Sequence, residues 1–298
     1  MILTVCLNPT FQRTMLFWDF HYGEVNRAKD ARIDASGKGA NVTRVLTQMG
    51  AESTLLTHIG GKGSKEMARL YADDDLTVIT VDSGSEMRTC TTILTPEATT
   101  ELIEEPRPVG EGTEEKIRRA FYAAIRKANA LIITGTRAPG YSRNLYADMV
   151  RTAKDLGKLV VLDLKDDDLL LCLEEHPDFI KPNLSEFAKT FWDKNLPEAS
   201  EAEALRTKAE DEMRRLYRRY HTSVILSRGS RDLWFWDTEF KTLPVPAVRT
   251  INTIGCGDAL TGAFTFYFLQ KNTVKEALGK AVTIAGRNAE NIRPGSIL

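Results

Sequence analysis

Segments typical of buried strands alternate with segments typical of helices along most of this chain, and this alternation restricts the fold more than any other feature. Apolar runs that predict strands lie at 2–7, 54–59, 130–134, 159–164, 179–181 and 223–227. Apolar residues at helical spacing predict helices at about 42–49, 65–71, 114–127, 143–156, 201–220, 258–270 and 274–291. Such alternation favours parallel strands joined by helical crossovers. We therefore predict one α/β domain spanning 1–298, with a doubly wound, mainly parallel sheet covered by helices on both faces.

The overall composition argues against several classes of partner. The 298 residues include 40 basic and 41 acidic side chains. The chain therefore lacks the excess of positive charge that is typical of nucleic-acid-binding proteins. The four cysteines, at 6, 90, 172 and 256, form no C-x-x-C pair and suit a reducing compartment. The apolar N-terminus is short, and no run is long enough to cross a membrane. We expect a cytoplasmic protein without nucleic-acid or membrane partners.

Two stretches break the alternation. Residues 13–34 contain several aromatic residues without helical period, and 88–95 and 99–104 predict two strands joined by a turn at Pro96-Glu97. We predict a small extra sheet, built from about 11–35 and 86–106, that acts as a lid over the main sheet. The alternatives are an edge extension of the main sheet or a dimerisation surface. We expect the aromatic residues to form the small core of this lid, and a homodimer to form through it rather than a monomer.

The segment 252–264 carries the clearest chemical signal. Gly255-Cys256-Gly257 leads into a long apolar helix, which places Asp258 in the first helical turn. Free backbone N–H groups at a helix start attract anions such as phosphate. A carboxylate beside such a site is expected if it removes a proton from a hydroxyl that attacks the phosphate. The alternative is a glycine turn whose Asp only complements the helix dipole.

Three other loops offer polar groups at strand ends or helix starts. Residues 36–41 (Ser-Gly-Lys-Gly-Ala-Asn) open a helix, yet they fit neither the P-loop nor the dinucleotide-binding G-x-G-x-x-G pattern. Residues 181–186 (Lys-Pro-Asn-Leu-Ser-Glu) offer an amide and a carboxylate that could orient Mg²⁺ through water. The structural alternative is a capping box between Asn183 and Glu186. Residues 227–229 (Ser-Arg-Gly) end a strand, where they either meet a nucleotide or form an ordinary turn.

Taken together, these elements resemble the PfkB (ribokinase-like) carbohydrate kinase family over the whole chain. The motifs occur in the family's order: L-N-P at 7–9, G-K-G-x-N-V at 37–42, K-P-N-x-x-E at 181–186, S-x-G at 227–229 and G-x-G-D at 255–258. The first two are most similar to the hexose-phosphate branch, which includes 1-phosphofructokinase and tagatose-6-phosphate kinase.

The resemblance implies a role for each motif in an ATP- and Mg²⁺-dependent phosphoryl transfer to a sugar or sugar phosphate. It makes Asp258 the general base and the N–H groups of Gly255, Cys256 and Gly257 the site for the transferred phosphate. The implied acceptor-binding residues are Asn8, Gln12, Gly37, Lys38, Gly39, Asn41 and Arg88. The implied nucleotide-binding residues are Lys181, Asn183, Ser227 and Gly229, with Asn183 and Glu186 organising Mg²⁺.

Several positions depart from the family pattern, mostly on the acceptor side. Gln12 stands where the branch has an Asp that binds sugar hydroxyls, and Cys90 and Thr92 replace an Asn and a Lys after Arg88. Cys256 replaces an alanine, and Asp232 replaces the last glycine of S-x-G-x-x-G. Three functions stay open: a sugar or sugar-phosphate kinase, a kinase for a nucleoside or another unphosphorylated polyol, and a dormant ligand-binding or regulatory protein.

Overall fold

A nine-stranded sheet forms the centre of the molecule in the computed structural model, which describes residues 1–200 and 203–298. Numbered along the chain, its strands are β1 (Ile2–Val5), β4 (Ser53–Ile59), β5 (Val78–Asp82), β8 (Ala130–Thr134), β9 (Leu159–Asp163), β10 (Phe179–Ile180), β11 (Ser223–Leu226), β12 (Leu233–Asp237) and β13 (Glu239–Leu243). They lie side by side in the order β13-β12-β11-β10-β9-β8-β1-β4-β5. All neighbours from β11 to β5 are parallel, and the two remaining pairs are antiparallel. The predicted α/β fold is confirmed.

Nine helices accompany the sheet within the described residues. They are α1 (Lys38–Gln48), α2 (Ser64–Asp73), α3 (Thr113–Ile125), α4 (Leu145–Asp155), α5 (Asp166–Leu173), α6 (Leu184–Trp192), α7 (Glu203–Tyr220), α8 (Cys256–Leu269) and α9 (Val274–Ala289). Positions 201 and 202 of the helix predicted at 201–220 lie outside the described residues. Gly50 and Gly157 follow α1 and α4 with φ of 74° and 65°, the left-handed conformation that ends helices.

Alternate side chains of the central strands belong to two different cores. Leu3 and Val5 of β1 join a core built mainly with α3 to α7. Ile2, on the opposite side of the same strand, joins a second core with α1, α8 and α9. Because successive strand residues face opposite sides, an apolar run without polar alternation gives a sheet buried on both faces. This confirms that helices cover both sides.

The antiparallel strands β12 and β13 were not predicted from the sequence. β12 is short and carries Trp234, Phe235 and Trp236 in succession, all buried. A single residue, Thr238, separates the two strands and takes φ of 65°. Neither Gly nor Asn marks this turn, so its sequence lacks the usual hairpin signal. The strands extend the sheet beyond the parallel part and leave the carboxyl edge of the parallel strands open.

The predicted extra sheet is present and has four strands, β2 (Thr10–Leu16), β3 (Asp30–Ser36), β6 (Arg88–Leu94) and β7 (Thr99–Ile103). We call it the lid sheet; its strand order is β3-β2-β6-β7. The expected aromatic core is wrong: Trp18 and Tyr22 are 69% and 99% exposed, and only Phe17 is well buried. β2 ends at Leu16, so these aromatic residues belong to the loop that follows the strand. The buried face of the lid sheet is largely polar instead, with Gln12, Thr14 and Thr92.

Gly39 allows α1 to approach Cys6, which follows β1, and Leu55 of β4, and a substitution at Gly39 tests this close contact. A Cβ at Gly39 would lie 2.3 Å from Cys6 Cβ and 3.0 Å from Leu55 Cδ1. We expect Gly39→Ala to lower the free energy of unfolding by about 1–3 kcal/mol through overpacking. Gly279→Ala in α9 is the matched control, because a Cβ there meets no atom within 4 Å. It should raise stability by about 0.5–1 kcal/mol. Urea unfolding measures both, and equal effects would contradict the close approach.

Candidate active site

The site lies where the carboxyl ends of the parallel strands meet the starts of α1 and α8. Gly255 precedes α8 with φ of 85°, and a Cβ on it would lie 2.5 Å from the backbone nitrogen of Gly295. Only glycine fits this position without strain. Gly257 follows in the first turn, where an added Cβ would lie 3.3 Å from Lys181 Nζ. The start of α8 therefore places backbone N–H groups beside a buried lysine, an arrangement suited to a phosphate. Of these groups, the Cys256 N–H donates to the Thr253 carbonyl at 3.3 Å.

Asp258 occupies the first turn of α8 and is buried. Its Oδ2 accepts a hydrogen bond from Asn41 Nδ2 at 2.8 Å. Burial raises the pKa of this carboxyl to about 6, although Lys38 and the Asn41 hydrogen bond act in the opposite direction. A carboxylate with a pKa close to neutrality is well matched to accept a proton from a hydroxyl.

Lys38 lies at the centre of a set of opposite charges. Its Nζ is 3.1 Å from Asp163 Oδ1 and 3.4 Å from Glu186 Oε1. Burial alone would lower the pKa of Lys38, but Asp163 and Glu186 outweigh it and raise that pKa above its ordinary value. The ammonium therefore remains charged in the site.

Asp163 was missed by the sequence analysis, although it completes this set. It ends β9, is 1% exposed, and its Oδ2 lies 3.5 Å from Lys181 Nζ. Burial opposes its ionisation, yet Lys181 and Lys38 hold the pKa of Asp163 below its usual range. The available signal was a lone carboxylate inside an otherwise apolar strand, because a buried charge requires a partner.

Asn183 and Glu186 form the capping box that the sequence suggested. Asn183 Oδ1 accepts from the Glu186 backbone N–H at 2.7 Å, and Glu186 Oε2 accepts from that of Asn183 at 3.1 Å. Glu186 Oε1 is left free of the cap and faces Lys38. The cap therefore fixes Glu186 and leaves one of its oxygens at the site.

The described residues contain no group of three or more His, Cys, Asp or Glu side chains able to hold a metal ion. Mg²⁺ rarely needs such a group, because it keeps several waters and binds one or two carboxylates together with substrate phosphates. Asp163 Oδ2 is buried and forms no hydrogen bond in the described part of the chain. This oxygen lies 3.5 Å from Lys181 Nζ, and Glu186 Oε1 lies 3.4 Å from Lys38 Nζ. Two carboxylates that meet at Lys38 fit a hydrated Mg²⁺ held partly by substrate phosphates.

The loop 227–229 lies next to this region. The Ser227 carbonyl accepts from the Leu184 backbone N–H at 2.9 Å, which joins the loop to the start of α6. The Gly229 N–H donates to Glu198 Oε1 at 3.0 Å. A carboxylate thus binds a backbone donor that the family resemblance assigns to the nucleotide.

A cavity of about 180 Å³ opens beside these groups. The predicted residues Asn8, Lys38 and Arg88 line it. Arg88 donates to the Asn8 carbonyl at 3.3 Å, and its Nε is buried without a hydrogen bond among the described residues. Lys165, which follows β9 and was not predicted, also lines the cavity and forms no ion pair in the described ranges.

Gln12 is placed differently from the other predicted acceptor residues. It is buried, does not line the cavity, and donates from Nε2 to Thr92 Oγ1 at 2.7 Å. Gln12 and Thr92 are two of the positions that depart from the family pattern, and they bind each other. Gly37 and Gly39 lie against the residues that follow β1, since a Cβ on Gly37 would be 3.2 Å from Pro9 Cα and one on Gly39 would be 2.3 Å from Cys6 Cβ.

Cys256, the substituted position of the G-x-G-D motif, is a neutral thiol. Burial raises the pKa of the Cys256 thiol to about 11, although a hydrogen bond from Asn288 Nδ2 at 3.3 Å acts to lower it. A thiol with this pKa is not an activated nucleophile. The backbone N–H of Cys256 donates to the Thr253 carbonyl at 3.3 Å.

The sequence matches the pfkB family of carbohydrate kinases over residues 7–295. The chain belongs to this family. The predicted family is confirmed, and with it a phosphotransferase that acts on a sugar hydroxyl. None of the kinase's helices, over the described residues, combines the length and apolar character needed to cross a membrane.

Solved structures of several kinases share the fold. Phosphofructokinase-2 from Escherichia coli, in complex with potassium, gives a TM-score of 0.84 at 19% identity, over 97% of this chain and 93% of that chain. A possible 1-phosphofructokinase from Thermotoga maritima gives 0.85 at 19% identity, over 98% and 92%. A tetrameric inhibited form of the Escherichia coli protein gives 0.83 at 18% identity, over 97% and 94%. At these identities the likeness shows the fold alone.

Proposed function

We propose that this kinase transfers the γ-phosphoryl group of ATP to a hydroxyl of a sugar phosphate, as in the hexose-phosphate branch of the family. The observation that carries the proposal is Asp258, a buried carboxylate with a pKa of about 6 in the first turn of α8, at a helix start of the kind that attracts anions. In this proposal Asp258 accepts the hydroxyl proton as the oxygen attacks the phosphorus. The N–H groups of residues 255–257 bind the transferred phosphoryl oxygens, where negative charge accumulates. This requires the Cys256 N–H to leave the Thr253 carbonyl, to which it donates at 3.3 Å.

The remaining charges of the site hold the nucleotide. Lys181 lies beside Gly257 and supports the same phosphate. Asp163 and Glu186 are the residues that would hold Mg²⁺ directly or through water, with Asn183 as the cap that orients Glu186. When bound, Mg²⁺ neutralises the charge of the phosphates. Ser227 and Gly229 would lie along the nucleotide, which requires Glu198 to release the Gly229 N–H.

A coupled assay of ADP release tests the base. With Mg·ATP and a panel of hexoses, hexose phosphates and nucleosides, we expect turnover on a sugar phosphate and a loss of about 10²–10⁴-fold in Asp258→Asn. Because Asp258 must be ionised to accept a proton, kcat/KM should fall as pH drops through about 6. The amide oxygen introduced by Asp258→Asn can still accept from Asn41, so the variant should stay folded and bind ATP.

Asp155→Asn, an exposed carboxylate of α4, is the matched control and should retain full activity. Retained turnover in Asp258→Asn would remove Asp258 as the base. If the wild-type protein binds ATP but releases no ADP with any acceptor of the panel, the result would favour the dormant ligand-binding function.

The acceptor's phosphate is expected to bind Arg88 and Lys165. Both cations line the cavity, and the unused Arg88 Nε offers a further donor. A charge-assisted hydrogen bond contributes about 1.5–3 kcal/mol, so Arg88→Met and Lys165→Met should each raise KM for a sugar phosphate by about 10–100-fold. An unphosphorylated analogue should be unaffected, as should the exposed-residue control Lys127→Met. If the protein prefers an unphosphorylated acceptor and neither Arg88→Met nor Lys165→Met changes the KM, the result would instead favour a nucleoside or polyol kinase.

A homodimer through the lid sheet fits its exposed apolar residues. Ile33 and Leu102 are 47% and 54% exposed, and their strand pairings place them on one face of the sheet. A second copy of the chain would bury these side chains. Sedimentation at micromolar concentration should give about twice the chain mass, and Leu102→Glu should give the monomer. Leu156→Glu, an exposed apolar position after α4, should leave the dimer intact; a monomeric wild type would contradict the proposal.

A further inference from the structure

A network of buried charges connects the lid sheet to the catalytic carboxylate. Its centre is Arg44 of α1, which is only 1% exposed. Asp74, Arg293 and Asp34 complete the network, and Asn41 joins it to Asp258. A fully buried arginine is uncommon, because its desolvation must be offset by hydrogen bonds and opposite charge. No step of the mechanism proposed above uses Arg44.

The hydrogen bonds of Arg44 reach several different parts of the chain. Its Nε donates to Asp74 Oδ2 at 2.9 Å, in the segment after α2. One η nitrogen donates to the carbonyl of Ala35 in β3 at 2.5 Å. The other donates to the carbonyl of Pro294 at 3.1 Å and to Asn41 Oδ1 at 3.2 Å. The guanidinium thus holds the lid strand, the segment after α9 and a site residue at once.

The contact with Asn41 decides which way its amide faces. Asn41 Oδ1 accepts from both Arg44 and Ser36 Oγ, the latter at 3.1 Å. Its Nδ2 is thereby directed at Asp258 Oδ2. A flipped amide would set N–H groups against the guanidinium and an oxygen against the carboxylate, which loses both hydrogen bonds. Arg44 and Asn41 are three residues apart in α1, so they share one face of the helix.

The network ends in the lid sheet. Arg293 binds Asp34 Oδ1 at 2.9 Å and also contacts Asp74. Arg32 of the same strand binds Asp34 through two hydrogen bonds. Ala35 and Ser36, the last residues of β3, contact Arg44 and Asn41 directly. The position of β3 and the orientation of the Asn41 amide therefore depend on the same contacts.

We propose that Arg44 is a positioning residue for phosphoryl transfer, which fixes the Asn41 amide so that its N–H stays on Asp258 and links that orientation to the seating of lid strand β3. The proposal rests on the proposed function, because it takes Asp258 as the base. Its consequence is that the base is fully prepared only when β3 is seated on α1. The lid sheet then has a role in proton transfer besides any contact with substrate.

The pH dependence of Asp258 separates this role from a merely structural one. A hydrogen bond donated to a carboxylate favours its ionised form, so losing the Asn41 donor raises the pKa of Asp258. The acid limb of kcat/KM then moves to higher pH. The other charged or titratable groups that influence Asp258 are Lys38 of α1, Asp163 of β9, Lys181 after β10, Cys256 of α8 and Cys6 after β1. The variants below keep all five of these side chains.

The test compares Arg44→Met, Ser36→Ala and Arg32→Met by the pH profile of turnover and by carboxyl ¹³C NMR titration of Asp258. We expect the Asp258 titration and the acid limb of kcat/KM to move up by about one pH unit in Arg44→Met. We also expect Arg44→Met to affect kcat more strongly than the KM for ATP. Ser36→Ala removes only the second donor to Asn41 and should move both in the same direction by less. Arg32→Met removes a half-exposed arginine that pairs with Asp34 and not with Asn41, and it should leave both in place.

Ser36→Ala keeps the test informative if Arg44→Met does not fold. An unchanged Asp258 titration in both Arg44→Met and Ser36→Ala would overturn the positioning role. If Ser36→Ala is the only folded variant, an unchanged titration in it alone overturns the role. Equal shifts in all three variants would also overturn it, because they would reflect general loosening. The NMR titration needs no turnover, so a failure of the proposed function appears separately, as a wild-type protein that titrates at Asp258 without phosphorylating the panel.

Discussion

Lys38 and Asp163 face each other at 3.1 Å between α1 and β9. Asp163 is 1% exposed, and its charge would not be stable there alone, because an unpaired buried charge is costly. Their pairing places a cation close to Asp258 and leaves an Asp163 oxygen without a hydrogen bond in the described part of the chain. Glu186 and Lys181 add a second charge of each sign, so the set is balanced without substrate.

Two of the departures from the family pattern involve a neutral hydrogen bond, whereas the residues around Asp163 are joined by ion pairs. Gln12 and Thr92 replace residues of opposite charge in the family pattern, and here they form one neutral hydrogen bond. Two departures that look independent in the sequence are therefore one paired change inside the lid sheet. The cavity next to it offers Arg88 and Lys165 instead. These two departures from the family pattern therefore lie in the lid sheet, while the two cations of the cavity come from β6 and from the segment after β9.

The sequence predicted the parallel sheet, the lid sheet and the placement of Asp258, because each leaves a local pattern. Apolar runs without alternation identify strands such as β1, and a glycine pair before an apolar helix identifies the start of α8. Lys165 and Arg44 leave no such pattern, since their roles come from partners far away in the chain, and Asp163 leaves only a lone carboxylate in an apolar run. From the sequence alone, Arg44 resembles an ordinary surface residue of an amphipathic helix. Its burial becomes clear only from its contacts with Asp74 and Pro294 in the structure. The hairpin β12–β13 was missed for a related reason, as Thr238 gives no turn signal.

The contacts of Arg44 also bear on the order in which the molecule is assembled. One guanidinium contacts Ala35 and Pro294, and Pro294 is separated from it by 250 positions. Gly255 in turn approaches Gly295. Contacts between distant parts of a chain form late in folding, because closing long loops costs entropy first. The candidate site is therefore shared between the first and last parts of the domain, since Asn41 and Asp258 bind each other from 217 positions apart, and no short fragment of the chain contains the whole site.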